Sequence, residues 1–278
     1  WLYTPEAGSF EDPFAEVNMY HHLDFIHGWF DERYGFRHPG SMEGIVNFDT
    51  ANAFFGDFDG DGVGEVAFGQ RGNVDFAYDA DVIYHEFMHS VFGSIVNPGF
   101  FDSDEFGIQW AAGGLNEGSA DVMSIVQTGD PRLGEYAGGV FSASGGPVRD
   151  LEADRMCPAD LYGESHRDGE VWGSFAWNLI DDPLIGAELT ADLFYGAITT
   201  FPSDVNWEFA GGAVLAAADE LLAAGAMDSA QRDRVQALAE AQGLDACGRV
   251  VRLDEGAEPL QMMLSIGFFA DTPIPLGQ

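Results

Sequence analysis

The run Val82-Ile83-Tyr84-His85-Glu86-Phe87-Met88-His89-Ser90-Val91 sets three titratable side chains inside an otherwise apolar segment of helical length. A helix advances about 100° per residue, so His85 and His89 stand one turn apart on one face, with Glu86 on its rim. In this H-E-x-x-H arrangement two imidazole nitrogens can hold Zn²⁺ while the glutamate handles protons on a bound water. The bland alternative is a pair of core histidines bonded to backbone carbonyls. It is the weaker reading, because a catalytic zinc site also needs a third ligand and the chain offers one.

That ligand is in Leu115-Asn116-Glu117-Gly118-Ser119-Ala120-Asp121. Glu117 and Asp121 are again four apart on a predicted helix, so both face one side. Glu117 is the expected third zinc ligand. Asp121 is expected to accept the free ring N–H of a ligand histidine, which fixes the tautomer and raises the basicity of the ring. A solvated helix face is the bland reading of such a pair, but Val122, Met123, Ile125 and Val126 are apolar neighbours and favour an inward orientation.

Composition restricts the partners. The chain has 278 residues, 46% of them apolar, which is enough for a large core in one domain or two lobes. No run of 18 apolar residues suggests a membrane span. Basic residues number 11, all arginine, against 47 acidic ones, a net charge of −36. Such a chain repels phosphates and anionic membranes, so nucleic acid and lipid surfaces are not expected partners. A solvated surface for high salt, calcium binding and compositional drift each account for the acidity. The first residue is Trp1, without Met or signal peptide, and is read as the start of a processed or trimmed chain. Cys157 and Cys247 lack metal-ligand spacing and are either one disulfide or two buried thiols.

Periodicity predicts a helix over 13–34 ending at Gly35, short strands within 44–70, a helix capped by Asp79 or Asp81 and running to about Val96, and a loop of about 15 residues. A helix from Leu115 to Thr128 follows, then irregular chain over 130–165 and helices over 166–181, 187–200, 204–224 and 228–242. The fold class expected is α+β, with two lobes: a mixed α/β part (1–130), a helical part (131–248) and a short tail (249–278). His21, His22 and His27 on the first helix lack a paired carboxylate motif and read as packing residues.

HEFMH followed by NEGSAD resembles the glutamate-zincin metallopeptidases, the group that contains thermolysin and the fungalysins. Asn52-Ala53-Phe54-Phe55 is similar to the edge strand that holds substrate backbone in that group, and Val66-Ala67-Phe68-Gly69 to the strand after it. Asp81 matches an aspartate at the same distance before the first histidine. His166-Arg167-Asp168-Gly169-Glu170-Val171-Trp172 resembles a segment whose histidine donates to the transition-state oxygen. Pro147-Val148-Arg149-Asp150-Leu151 resembles one whose arginine meets a substrate carbonyl. The resemblance implies a two-lobed fold and a secreted, monomeric zinc endopeptidase with a removed propeptide. Glu86 and His166 would be catalytic, Asn52, Ala53, Val82 and Arg149 would contact substrate, and a hydrophobic residue would be preferred after the scissile bond. A zinc exopeptidase and an inactive domain that keeps the fold are the rival readings.

The chain departs from the family at three places. Ile108 stands where thermolysin has an oxyanion-assisting tyrosine, with Trp110 nearby. Leu161 stands where an aspartate orients the catalytic histidine, leaving Asp160 or Glu164 as substitutes. Thr128 stands where a glutamate bridges two calcium ions. Asp57, Asp59, Asp61 and Glu65, in GDFDGDGVGE, nevertheless form the start of a calcium loop, although the EF-hand pattern fails at Phe68. Asp81, Asp130 and Glu135 are a second expected calcium cluster.

Overall fold

The structure is a computed structural model, and it describes residues 3–98, 102–104, 107–141 and 145–247. The tail 249–278 lies outside the described residues.

The fold is α+β. Helix α1 (Pro13–Tyr34) starts where Asp12 accepts from the Phe14 N–H and Pro13 presets the first turn; it stops at Gly35, whose φ of 67° suits glycine. Strands β1 (Gly44–Ile45), β2 (Ala53–Gly56) and β3 (Glu65–Phe68) form a sheet in the order β1-β3-β2. The β1–β3 pairing is parallel and β2–β3 is antiparallel, so β2 is an edge strand. A small hairpin, β4 (Gln70–Arg71) and β5 (Val74–Asp75), leads to α2 (Ala80–Ile95). Of the two aspartates expected as caps of α2, Asp79 takes the position, accepting from the Asp81 N–H.

A second hairpin, β6 (Asp102–Asp104) and β7 (Gly107–Gln109), precedes α3 (Ala111–Thr128). This helix begins four residues before the expected Leu115. Gly113 and Gly114 read as loop in the sequence, yet Gly114 is helical. A Cβ there would lie 3.0 Å from the Trp207 ring and 3.2 Å from Asp168, so the small residue lets the helix pack tightly. Strands β8 (Arg132–Leu133) and β9 (Arg149–Asp150) pair across the otherwise irregular 130–165 region. Then come α4 (Ser165–Ile180), α5 (Gly186–Ile198), α6 (Trp207–Ala224) and α7 (Ser229–Gln242), within a few residues of the helices expected. Asn206 and Asp228 cap the last two.

The larger core joins α1, α2 and α3 to the later helices through Phe30, Phe87, Phe92, Met123, Trp172, Phe175 and Phe194, all buried. A smaller core lies under the sheet, around Met19, Val66, Phe68, Phe76 and Ile83. Helices α3 and α4 meet at glycines. A Cβ on Gly118 would lie 2.7 Å from the Gly169 carbonyl oxygen, and one on Gly169 would lie 2.8 Å from the Gly118 nitrogen. Backbone contact at this crossing holds the N-terminal turn of α4 against Glu117. Among the described residues no helix is long and apolar enough to cross a membrane.

Cys157 and Cys247 are joined as a disulfide across 90 residues. Closing a loop of that length removes chain entropy from the unfolded state worth about 4.6 kcal/mol. Cys157→Ser with Cys247→Ser is therefore expected to lower the denaturant midpoint, and an unchanged midpoint would show that the bond constrains nothing.

Candidate metal centre and surrounding cleft

Helix α2 presents His85 and His89 from adjacent turns, and α3 crosses it so that Glu117 meets them. One donor atom from each of the three residues lies within 4.8 Å of the others. The two Nε2 atoms are 3.1 Å apart, and Glu117 Oε2 is 3.3 Å from His85 Nε2 and 3.8 Å from His89 Nε2. A tetrahedral ion with ligands at roughly 2.0–2.1 Å holds neighbouring donors about 3.3–3.4 Å apart. The triangle therefore has the size of one face of such a coordination sphere.

The outer edges of both rings are committed elsewhere. His85 Nδ1 lies 2.8 Å from Asp121 Oδ1, and His89 Nδ1 lies 3.1 Å from Asn116 Oδ1. Both partners accept, so both Nδ1 atoms carry hydrogen and both Nε2 atoms turn lone pairs toward each other. Glu117 Oε2 is buried and without a hydrogen-bond partner. Two facing lone pairs and an orphaned carboxylate oxygen are unfavourable unless a cation sits among them, and nitrogen and oxygen donors in this set suit zinc.

Electrostatics points the same way. Burial pushes the Glu117 carboxyl up, but His166, His89 and His85 together hold it well below its ordinary range. Burial opposes charge on His85, but Asp121 and Glu117 overcome it and push the ring up to about 9, so that without an ion a proton on Nε2 would fill the place among the donors that a metal otherwise takes. The pocket is thus built to hold positive charge. Glu86 is buried beside the rings, and burial raises its carboxyl despite the pull of His85 and His89. A raised carboxyl is a better proton acceptor for water.

Asp121 is fully buried between His85 and Arg149. Arg149 Nε and Nη2 lie 2.7 and 2.6 Å from its two carboxylate oxygens. The guanidinium expected to meet a substrate carbonyl is therefore engaged first in holding Asp121, which leaves Nη1 for any such contact. Sequence reasoning missed Asn116 as the partner of His89; its place directly before Glu117 was the only signal.

His166 opens α4, half exposed, with Nε2 3.5 Å from Glu117 Oε2. Its Nδ1 lies 2.7 Å from Glu164 Oε1, and Glu164 also caps the helix by accepting from the His166 and Arg167 N–H groups. Glu164 thus partners the histidine where Leu161 cannot. The other candidate, Asp160, turns its carboxylate to the Met156 N–H. Glu117, then burial opposing it, then Glu164 set the His166 pKa, which is raised overall.

Asn52 and Ala53 lie at the start of edge strand β2, where the Asn52 carbonyl accepts from the Gly69 N–H and Ala53 pairs with Phe68. Val82 is partly buried one turn before His85 and Glu86. In the acidic loop, carboxylate oxygens of Asp57, Asp59, Asp61 and Glu65 also lie within 4.8 Å of one another. Asp57 accepts from the Gly60 and Gly62 N–H groups, Asp59 from Asp61, Asp61 from Val63, and buried Glu65 from Phe58.

The second calcium cluster does not assemble. Asp130 and Glu135 pair with Arg132, and Asp81 Oδ2 accepts from the Gly134 N–H. Burial, then Asp79, push the Asp81 carboxyl up to about 7. An unfolded aspartate titrates near 3.9, so the native state binds this proton more tightly. The resulting stabilisation is complete below about pH 4 and is lost as pH rises through about 7. Asp81→Asn keeps an acceptor for Gly134. It is expected to raise the melting temperature at pH 8 by roughly 3–6 °C, after discounting for solvent, and to change it little at pH 4. Equal shifts at both pH values would contradict this.

No protein-family model matches the chain, and no curated protein matches it. Among solved structures it is similar to the precursor of protealysin, a metalloproteinase from Serratia proteamaculans. The TM-score is 0.63 at 19% identity, covering 84% of this chain and 80% of that one. The likeness is one of fold, and the thermolysin-like α+β class expected from the sequence stands.

Proposed function

We propose that this chain is a secreted zinc-dependent endopeptidase. The observation that carries the reading is the triangle of His85, His89 and Glu117 donors with buried Glu86 beside it and His166 across the cleft. Bound there, zinc would supply a Lewis acid that acidifies water and polarises a carbonyl. The chain's own residues would do the rest. Glu86 takes the proton of the attacking water and passes it to the leaving amine. His166, oriented by Glu164, donates to the developing oxyanion, a bond typically worth about 3 kcal/mol. The free edge of β2 near Asn52 and Ala53 takes the substrate as an added strand. Val82 walls an apolar subsite for the residue after the cut. A metalloproteinase precursor shares this fold, and we extend the reading to a removed propeptide and a monomeric product.

The test is incubation with an unfolded protein substrate and mapping of the new termini, before and after zinc is removed and restored. Internal cleavage that follows zinc and falls before hydrophobic residues supports the reading. Release of terminal residues alone would favour an exopeptidase, and no cleavage would favour a binding domain.

We also assign Ca²⁺ to Asp57, Asp59, Asp61 and Glu65, because carboxylates so close together need a cation to offset their repulsion. Adding calcium to zinc-loaded protein at about 100 times its dissociation constant is expected to contribute about 2.7 kcal/mol, or roughly 5–10 °C in melting temperature. Asp59→Asn with Asp61→Asn should remove that shift. No shift in the wild type would retire the calcium site.

A further inference from the structure

Eight of the nine arginines among the described residues have a carboxylate partner within ion-pair distance; Arg167 has none among the described residues. In a chain with 47 acidic residues and 11 basic ones, an unneutralised cation is unexpected. Its position is also specific. Arg167 follows His166 on the first turn of α4, and its guanidinium lies 5.3 Å from the centre of the Tyr162 ring. Stacking on an aromatic face fixes the plane of a guanidinium without consuming its hydrogen-bond donors.

Arg167 and Tyr162 line a recess of about 130 Å³ with Arg155, Asp160 and Glu170. That is room for several waters or one carboxylate head group. Both acids in the recess are already engaged. Glu170 Oε2 accepts from Arg155 Nε at 3.1 Å, and Asp160 accepts from the Met156 N–H at 2.8 Å. The Arg155–Glu170 pair cancels, which leaves the Asp160 carboxylate, turned to the Met156 N–H, and the Arg167 guanidinium, one residue from the histidine that faces the metal centre. A net charge of −36 repels acidic peptides at a distance, so an acidic group near the scissile bond would need a local cation.

We propose that the recess at Arg167 and Tyr162 binds a carboxylate of the peptide substrate, either an acidic side chain near the cut or the C-terminal carboxylate. This rests on the peptidase reading above, and it adds a charge preference to it. A guanidinium accepts a carboxylate through two parallel bonds, so the preference should be geometric as well as electrostatic.

The experiment uses the zinc-loaded, full-length protein and pairs of labelled peptides that differ only by Glu against Gln at each position flanking the cut, or by a free against an amidated C-terminus. Binding is read by fluorescence anisotropy in the Glu86→Gln background, and hydrolysis is read in the Glu86 protein. One acidic form is expected to bind about tenfold more tightly than its neutral twin. Arg167→Gln should bring that ratio to about one, and Arg167→Lys should keep part of it. The position that responds distinguishes side chain from terminus. Equal binding of all twins with hydrolysis intact would overturn the recess and leave the peptidase standing. An acid preference that survives Arg167→Gln would also overturn it. Arg167-dependent binding without any hydrolysis would support the recess and sink the peptidase.

Discussion

Glu86→Gln is expected to cut peptide hydrolysis by about 10³-fold or more while leaving zinc content at the wild-type level. The amide fills the space of the carboxylate in a buried position, so the helix and its two histidines keep their geometry. It cannot take a proton from water or return one to the leaving amine, and general acid–base assistance is typically worth 10²–10⁴-fold. Glu86 is not one of the three residues whose donors converge, which is why activity and metal binding should separate. Turnover would be measured on one peptide and zinc by atomic emission on the same samples. Hydrolysis within tenfold of wild type would show that another group is the base. Zinc lost along with activity would show that Glu86 holds the ion.

Glu117→Ala is expected to weaken zinc binding by more than about 100-fold, beyond the 10–100-fold typical when a ligand's own partner is changed. Its buried oxygen lies 3.3 and 3.8 Å from the two imidazole nitrogens, and three histidines hold its carboxyl well below the ordinary range. Removing it leaves two neutral rings to hold a dication. Asp121→Asn supplies the comparison, since Asp121 acts only through His85 and should fall within the smaller range. Competition against a chromophoric chelator ranks the two. Glu117→Ala binding zinc as tightly as Asp121→Asn would remove Glu117 from the coordination sphere.

Helical spacing made the α2 triad and the Glu117–Asp121 pair legible, because residues four apart on a helix share a face wherever that helix packs. Caps were legible for the same local reason, as at Gly35 and at Asp79, one of two candidates for α2. What the sequence left open is set by tertiary contact. Whether Asp160 or Glu164 would orient His166 depended on which carboxylate the loop before α4 turns inward. Arg149 was matched to a substrate contact, but the strand pair β8–β9 brings it to Asp121, where a buried carboxylate recruits it. Asp81, Asp130 and Glu135 were expected to share a calcium ion, but Asp130 and Glu135 pair with Arg132 instead. Nothing in the sequence marked Gly118 or Gly169 as a contact. Their function shows only where two helices touch through backbone.

X-ray absorption at the zinc edge, on protein loaded with one equivalent, tests the metal centre most directly. Two imidazole nitrogens and a light-atom oxygen donor at about 2.0–2.2 Å are predicted, falling to one imidazole in His89→Ala. A wild-type spectrum without imidazole scattering, or one that His89→Ala leaves unchanged, would contradict the account.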